Sequence, residues 1–446
     1  MTDYRSVADA VAAEIASGQI KPGHRLPPQR AFAYERGIAV STASRVYAEL
    51  ARRGLTLGEV GRGTYVRSDL SAPVRMQPEP APGAVDLQRT HSNLPEQDVV
   101  LTEGLAALSR AGATGAALNQ YGPAGTPRAR AVAARFLARG DFAPDPDGVL
   151  FTGNGRQGLA AVLAALARPG DRIGCEPLTY PVVKGIAARL GIALVPLALD
   201  AEGIRPDAIL QAHRAAPLSG LYLQPTLQNP LGLTMGPHRR SEIAAVLAQT
   251  GLVAIEDAVY SFLSDAVPLA ARAPGRTIVI DSLSKRVMPG LTVGLIASPP
   301  DWTDRLSASV RQGGWAATGF PLAAGTHWMG DGSAVRLAVV KRADAVARQN
   351  LARDCLGDLS IGGDPCAYHL WLDLPETWRA EAYAAAALRQ GIAITPASAF
   401  AIVPGHAPNA VRLALAAPPR DDLRRALTAL RRLVDARDDQ IIDEMG

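Results

Sequence analysis

Over residues 6–17, apolar side chains return every three to four positions. Val7, Val11 and Ile15, with alanines between them, share one face, and Gly18 stops the run. This spacing predicts a helix from about Ser6 to Ser17. KPGHRLPPQR (21–30) is a turn-rich connection into a second short helix near Gln29 to Arg36, which Gly37 breaks. Ser41 is placed to cap a third helix, STASRVYAELARRG, ending at Gly54. Two short helices joined by a tight Gly-containing turn predict a helix-turn-helix. TLGEVGRGTYV then predicts two short strands around Gly61-Arg62-Gly63, a wing-like hairpin.

Residues 1–67 therefore form one small unit. Residues 68–92 are proline-rich with little periodicity and are expected to be a linker. From about residue 93 to 446, helical stretches alternate with the apolar runs GVLFT (148–152), DRIGCE (171–176), ALVPL (193–197), GLYLQP (220–225), LVAIED (252–257) and TIVIDS (277–282). Runs spaced roughly 20 to 30 residues apart predict an α/β body with a mostly parallel central sheet and helical crossovers. Ligands of such sheets gather at the carboxyl ends of the strands, where most of these runs give way to polar residues.

Composition narrows the function classes. With 446 residues, 48% hydrophobic and 20% charged, the chain is not a disordered or acidic-tail protein. Its length suits about two to four domains. Of 46 basic residues only Lys21, Lys184, Lys285 and Lys341 are lysines, so a lysine in a distinctive context stands out. The net charge is +4, and the first 70 residues carry ten Lys/Arg against seven Asp/Glu, which places the search for a nucleic-acid footprint at the N-terminus. Cys175, Cys355 and Cys366 are widely spaced, match no metal-ligand pattern and suit a reducing cytoplasm. MTDYRSVADAVAAE has early acids and no long apolar core, so neither a signal peptide nor a membrane span is expected.

FTGNGRQGLAAVLAAL sets Gly153, Gly155 and Gly158 in G-x-G-x-x-G spacing between a strand and a helix, and Glu176 ends the next strand. Read locally, this is a dinucleotide fingerprint with its ribose-binding acid. The physics is narrower: glycines and a helix N-terminus bring amide hydrogens to an anion, which a single phosphate ester satisfies as well as a pyrophosphate. The residues that follow favour the single ester. PLTYP puts Tyr180 past a strand end, where its ring can stack on a flat ligand. QPTLQNPLG leaves the Asn229 amide at the ligand edge, EDAVY supplies Asp257 and Tyr260, and DSLSKRVMPG presents Lys285 in Ser-x-x-Lys spacing from Ser282. A lysine for an aldehyde, a carboxylate for a pyridinium nitrogen, donors for a ring hydroxyl, an aromatic to stack and a helix N-terminus for a phosphate are what pyridoxal phosphate requires.

In order and motif this body resembles the type I aminotransferase fold. The resemblance implies that Lys285 bonds to the cofactor aldehyde, that Asp257 pairs with the pyridine nitrogen, and that Asn229 and Tyr260 contact the ring oxygen. It further implies that Tyr121, in NQYGPAGTPRAR, reaches a phosphate across a dimer interface and that Arg412, in NAVRLAL, forks onto a substrate carboxylate. The chain departs from the family where many relatives carry a phosphate-binding arginine seven or eight residues after the lysine: here stand Thr292 and Val293. Thr292, Arg286 and Arg156 are the candidates to replace it.

The N-terminal unit resembles the winged helix of GntR regulators, through ASGQIKPGHRLPPQRAFA, VSTASRVYAELARRGL and GRGTYV. By that resemblance Ser41, Thr42, Ser44 and Arg45 face the major groove, Arg30 contacts phosphate, and Arg62-Gly63 at the wing tip approaches the backbone or minor groove. Winged helix, linker and aminotransferase-like body in this order resemble the MocR subgroup of GntR regulators. The subgroup implies a cytoplasmic homodimer with each head often packed on the other protomer's body, and no metal. The expected function is a regulator that binds an operator in double-stranded DNA and senses pyridoxal phosphate, alone or joined to an amine or amino acid, to control vitamin B6 or amine and amino-acid metabolism. Two alternatives stay open: a working aminotransferase with an accessory DNA-binding head, and a nucleotide-dependent enzyme built on the glycine fingerprint.

Overall fold

The computed structural model describes residues 3–21, 24–53, 55–59, 63–66, 83–110, 115, 117–290 and 292–435. Gly54, Gly61, Arg62 and residues 68–82 of the expected linker lie outside the described residues.

The head consists of α1 (Tyr4–Ala16), α2 (Gln29–Glu35) and α3 (Val40–Arg52), with an antiparallel pair β1 (Thr56–Glu59) and β2 (Gly63–Val66). Helix α1 starts two residues earlier than expected because Asp3 caps it, its carboxylate accepting the Arg5 amide hydrogen. Its buried stripe is Ala8, Val11, Ala12 and Ile15, at i, i+3, i+4 and i+7, and Val7 lies at the edge of that stripe, half-buried. Ser41 does not cap α3. The helix begins one residue sooner, behind Ala39, whose extended backbone offers no side-chain acceptor, and Ser41 is exposed in the first turn. The head core closes where Phe32 meets the Tyr47 ring edge-on at 5.2 Å and the Tyr47 hydroxyl donates to the Pro27 carbonyl. Leu26 and Val66 exchange backbone bonds with Thr64 and His24, so the connection before α2 pairs with the wing.

The body is built on seven strands: β3 (Val149–Thr152), β4 (Arg172–Cys175), β5 (Ala193–Pro196), β6 (Gly220–Leu223), β7 (Ala254–Asp257), β8 (Thr277–Ser282) and β9 (Gly294–Ala297). Their order is β3-β9-β8-β7-β6-β4-β5. All six apolar runs of the sequence are strands. The seventh, β9, runs antiparallel to β8 and β3, while the neighbouring pairs β8-β7, β7-β6, β6-β4 and β4-β5 are parallel. A four-residue apolar run gives no period by which to tell a strand from a loop, so β9 was not expected. Because six strands point one way, the residues after β3, β4, β6, β7 and β8 meet at one edge of the sheet.

The long helix α5 (Ser333–Leu356) leads from the large sheet to a second, antiparallel one: β10 (Ile361–Gly362), β11 (His369–Asp373), β12 (Thr395–Pro396) and β13 (Ala410–Ala414), in the order β10-β11-β13-β12. Leu87, with Leu370, Leu413 and Leu430, belongs to the core of this smaller subdomain. Residues 85–92, expected as linker, are thus built into the body: Val85–Asp86 pairs in parallel with Ile392–Ala393, and Leu87 is fully buried. An isolated Val and Leu in a proline-rich stretch carry no period, and their partners stand some 300 residues further on. Cys175 is buried, Cys355 and Cys366 are half-buried, and all three are free. Among the described residues no helix is long and apolar enough to cross a membrane.

The head rests on the smaller subdomain. The Leu55 side chain fills the space where a Cβ on Gly405 would stand, and Arg5 pairs with Glu376 at 3.5 Å.

Candidate functional site

A cavity of about 250 Å³ opens at the carboxyl edge of the large sheet. One end is formed by the helix α4 (Gly155–Leu166), whose N-cap Asn154 accepts the Gln157 amide hydrogen. A Cβ on Gly155 would stand 3.2 Å from the Ser282 Cβ, and one on Gly158 would stand 3.6 Å from Ile280, so the glycines bring the helix tip against β8. Facing that tip are three hydroxyls in mutual contact: Ser282 to Ser284 at 2.7 Å, Ser282 to Thr292 at 3.1 Å and Ser284 to Thr292 at 2.6 Å. Amide hydrogens, a helix dipole and hydroxyls together suit an anion. Arg156 lines the same end. Its Nε donates to the Tyr180 hydroxyl at 2.8 Å, and its two Nη atoms make no hydrogen bond or ion pair among the described residues.

At the opposite wall Asp257 is buried and holds three donors: the Tyr222 hydroxyl at 2.7 Å, Gln224 Nε2 at 3.1 Å and the Val259 amide at 3.3 Å. Burial pushes its pKa up against those donors. A carboxylate held this way would pair well with a cationic ring nitrogen.

Lys285 lines the same cavity, half-buried. Its Nζ donates to Thr90 Oγ1 at 2.8 Å, lies 3.4 Å from His91 Nδ1 and sits 5.7 Å from the centre of the Tyr260 ring. Burial, then the charges of Arg156, Arg412 and Lys341, hold its pKa well below the ordinary lysine value, against the pull of Asp257. A shift in this direction favours the neutral amine, the nucleophilic form toward a carbonyl carbon. His91 is drawn down to about 3 by burial and by the charge of Lys285, so it is a neutral ring at physiological pH.

Of the residues singled out in the sequence, Gly155, Arg156, Tyr180, Asp257, Tyr260, Ser282, Lys285 and Thr292 line this cavity. Asn229 and Arg412 are not among its lining residues and are joined to each other at 3.3 Å. Arg412 is buried, spends Nη2 on the Gln88 carbonyl and the Thr395 hydroxyl, and leaves Nε without a partner. Arg286 does not face the cavity. It is buried against Asp281 at 2.7 Å, with its guanidinium 4.3 Å from the Phe136 ring, because its partners lie on the opposite side of β8. Tyr121 lines a separate cavity with Arg311. Glu176 accepts the Gln224 amide inside the sheet and is pushed up to about 7 by burial, so it is no exposed ribose acceptor. Sequence reasoning missed Ser284, Gln224, Thr90 and His91. The alternate hydroxyls of DSLSK signal Ser284, whereas Thr90 and His91 are invisible in a stretch that reads as linker.

On the head, Arg30, Ser41, Ser44 and Arg45 are exposed and Thr42 is half-buried. Arg45 lies 4.1 Å over the Tyr4 ring, beside the cleft shared with the smaller subdomain. Gly63 opens β2, and Arg62 is outside the described residues.

Residues 3–66 match the family of bacterial regulatory proteins, gntR family, and residues 85–430 match aminotransferase class I and II. The chain belongs to the MocR subgroup, a GntR head on an aminotransferase class I and II body. MocR-type relatives extend over most of its length. An uncharacterized HTH-type transcriptional regulator of Bacillus subtilis, YdeF, is 28% identical over 446 residues, covering 97% of this chain and 94% of the relative. The HTH-type pyridoxine biosynthesis transcriptional regulator PdxR of Corynebacterium glutamicum is 27% identical over 361 residues, 77% of each chain. Among solved structures, an archaeal alanine:glyoxylate aminotransferase superposes with a TM-score of 0.72 at 20% identity, covering 94% of this chain and 97% of that one. At that identity the likeness concerns the MocR body's fold alone.

Proposed function

We propose that this MocR-type protein is a DNA-binding transcriptional regulator whose body binds pyridoxal phosphate, alone or with an amine or amino acid, and controls genes of vitamin B6 or amine and amino-acid metabolism. The observation that carries it is that Lys285 lines one cavity together with Asp257 and the hydroxyl-lined tip of α4, in a chain that also bears a winged head. The donor set fits the cofactor: the α4 tip, Ser282, Ser284, Thr292 and Arg156 would hold the phosphate, Asp257 the pyridine nitrogen and Tyr180 the ring face. When bound, the cofactor supplies an electron sink and an aldehyde. Lys285 offers the amine to that aldehyde, and Arg412 offers Nε to a ligand carboxylate. The pyridoxine link of PdxR supports vitamin B6 as the first metabolism to examine. Exposed Val99, Leu118, Phe320, Val335 and Val339, on or beside helices that pack side by side, support a homodimer as the acting unit.

Footprinting DNA upstream of the neighbouring genes, with and without pyridoxal phosphate, tests the reading with Lys285→Ala as control. A footprint that changes with cofactor in the wild type and not in the variant is expected, whereas an absorbance spectrum with no lysine-bound cofactor sinks it. The same Lys285, Asp257 and Arg412 support transamination as a second reading. Steady release of keto acid from an amino donor, lost in Lys285→Ala, would establish it.

A further inference from the structure

Residues Gln88–Ser92 touch two residues of the cavity, Lys285 and Tyr260, and two buried basic residues outside its lining, Arg412 and Lys341. Thr90 Oγ1 accepts from Lys285 Nζ at 2.8 Å and shares a 2.7 Å hydrogen bond with the Tyr260 hydroxyl. His91 Nδ1 is 3.4 Å from Lys285 Nζ. The Gln88 carbonyl accepts from Arg412 Nη2 at 2.5 Å, and the Ser92 carbonyl accepts from the buried Lys341 at 3.4 Å.

The same segment is stitched to the smaller subdomain just upstream. Val85 and Leu87 amides donate to the Gly391 and Ala393 carbonyls, and the Ala414 amide donates to Leu87. Between stitch and cavity, one oxygen of Asp86 accepts the Gln88 amide at 2.8 Å and the Arg89 amide at 3.1 Å, fixing the turn. The smaller subdomain in turn carries the head, through Leu55 on Gly405 and Arg5 on Glu376. A continuous run of hydrogen bonds and packing contacts therefore leads from Lys285 to the winged helix.

We propose that Gln88–Ser92 is a strap that reads occupancy at Lys285 and Arg412 and passes it, through the Asp86 turn, to the subdomain on which the head rests. This rests on the cofactor reading above. When the Lys285 amine condenses with an aldehyde, a C=N bond replaces C=O and both amine hydrogens leave with the carbonyl oxygen as water. The nitrogen then has no hydrogen to give Thr90 and can only accept, so the Thr90 hydroxyl must turn to donate to it, giving up any donation to Tyr260, or let go. A carboxylate forked across Nε and Nη2 of Arg412 needs two N–H groups on that edge. Nε is free, but Nη2 is committed to Gln88 and Thr395, so one of those bonds must yield. Both ligand events thus rearrange the strap's hydrogen bonds, and a change with two discrete hydrogen-bond arrangements is what a coupled element requires.

Amide hydrogen exchange on the full chain, with and without saturating pyridoxal phosphate, tests it, occupancy being read from absorbance. In the wild type, exchange at 88–92 should change severalfold, and so should exchange at the head-contact segments 373–379 and 403–409. Asp86→Ala should keep the response at 88–92 and lose it at the head-contact segments, and Asp86→Asn, which keeps an accepting oxygen, should restore it. Full occupancy with unchanged exchange at 88–92, or an equal response at the head contacts in Asp86→Ala, overturns the strap alone. A spectrum with no bound cofactor overturns the reading beneath it and the strap together.

Discussion

Thr292 and Arg156 line the same cavity, one a hydroxyl bonded to Ser282 and Ser284, the other a guanidinium whose two Nη atoms make no hydrogen bond or ion pair among the described residues. Hydroxyls alone leave a dianion unneutralised, and a charge-assisted hydrogen bond contributes about 1.5–3 kcal/mol. Arg156→Gln should therefore weaken pyridoxal phosphate binding by roughly ten- to a hundredfold and leave pyridoxal, which lacks the phosphate, nearly unaffected. Thr292→Arg should restore the loss. Equilibrium titration by absorbance checks all three, and equal weakening of both ligands would remove Arg156 from the phosphate. Lys341 is a different case. Its ammonium is buried and donates to the carbonyls of Lys285 and Val287 as well as Ser92. Burial draws its pKa down to about 8 from 10.5. Between those values the unfolded chain binds more protons than the folded one, so this residue makes stability rise as pH rises. In Lys341→Met that contribution disappears. Urea unfolding at about pH 8 and about pH 10 should show the wild type gaining on the variant across the interval, and a constant gap would refute the shift.

Helix α3 presents Ser41, Ser44 and Arg45 to solvent while Ala43, Val46, Tyr47 and Leu50 hold it in the head core. That division, one face packed and the other polar, lets the helix enter a groove without unfolding the domain. Arg45→Ala should cost about 1–3 kcal/mol on a preferred operator and relax the choice of base at one position. Arg30→Ala should weaken all sequences alike and lower the salt slope by about one. Operators selected from random DNA, titrated at several salt concentrations, separate the two outcomes. Uniform loss in Arg45→Ala would place it on a phosphate instead. At this scale the sequence was legible wherever an element made its own periodic pattern: the stripe of α1, the six apolar runs, the glycine turn before α4. It was silent on β9 and on Val85–Asp86, where two to four residues become strand because distant partners complete their hydrogen bonds.

For the whole molecule, the contact between head and body decides how a ligand could be felt at the DNA. The Arg5–Glu376 pair is highly exposed, 61% and 94%, and contributes little. Leu55 against Gly405 is apolar and buried, and it is the stronger determinant of where the head sits. The sequence by itself determined the order of the parts and the chemistry at the strand ends, because a strand's carboxyl end fixes where the next residues emerge. Lys285, one of four lysines, was conspicuous for that reason. Tertiary structure decided which arginine meets the cavity, turning Arg156 in and Arg286 away to Asp281. It also decided that Thr90 and His91, at the end of the stretch read as linker, reach Lys285 in the site. Side-chain direction and long-range pairing depend on packing between residues far apart in the chain, and no local pattern encodes them.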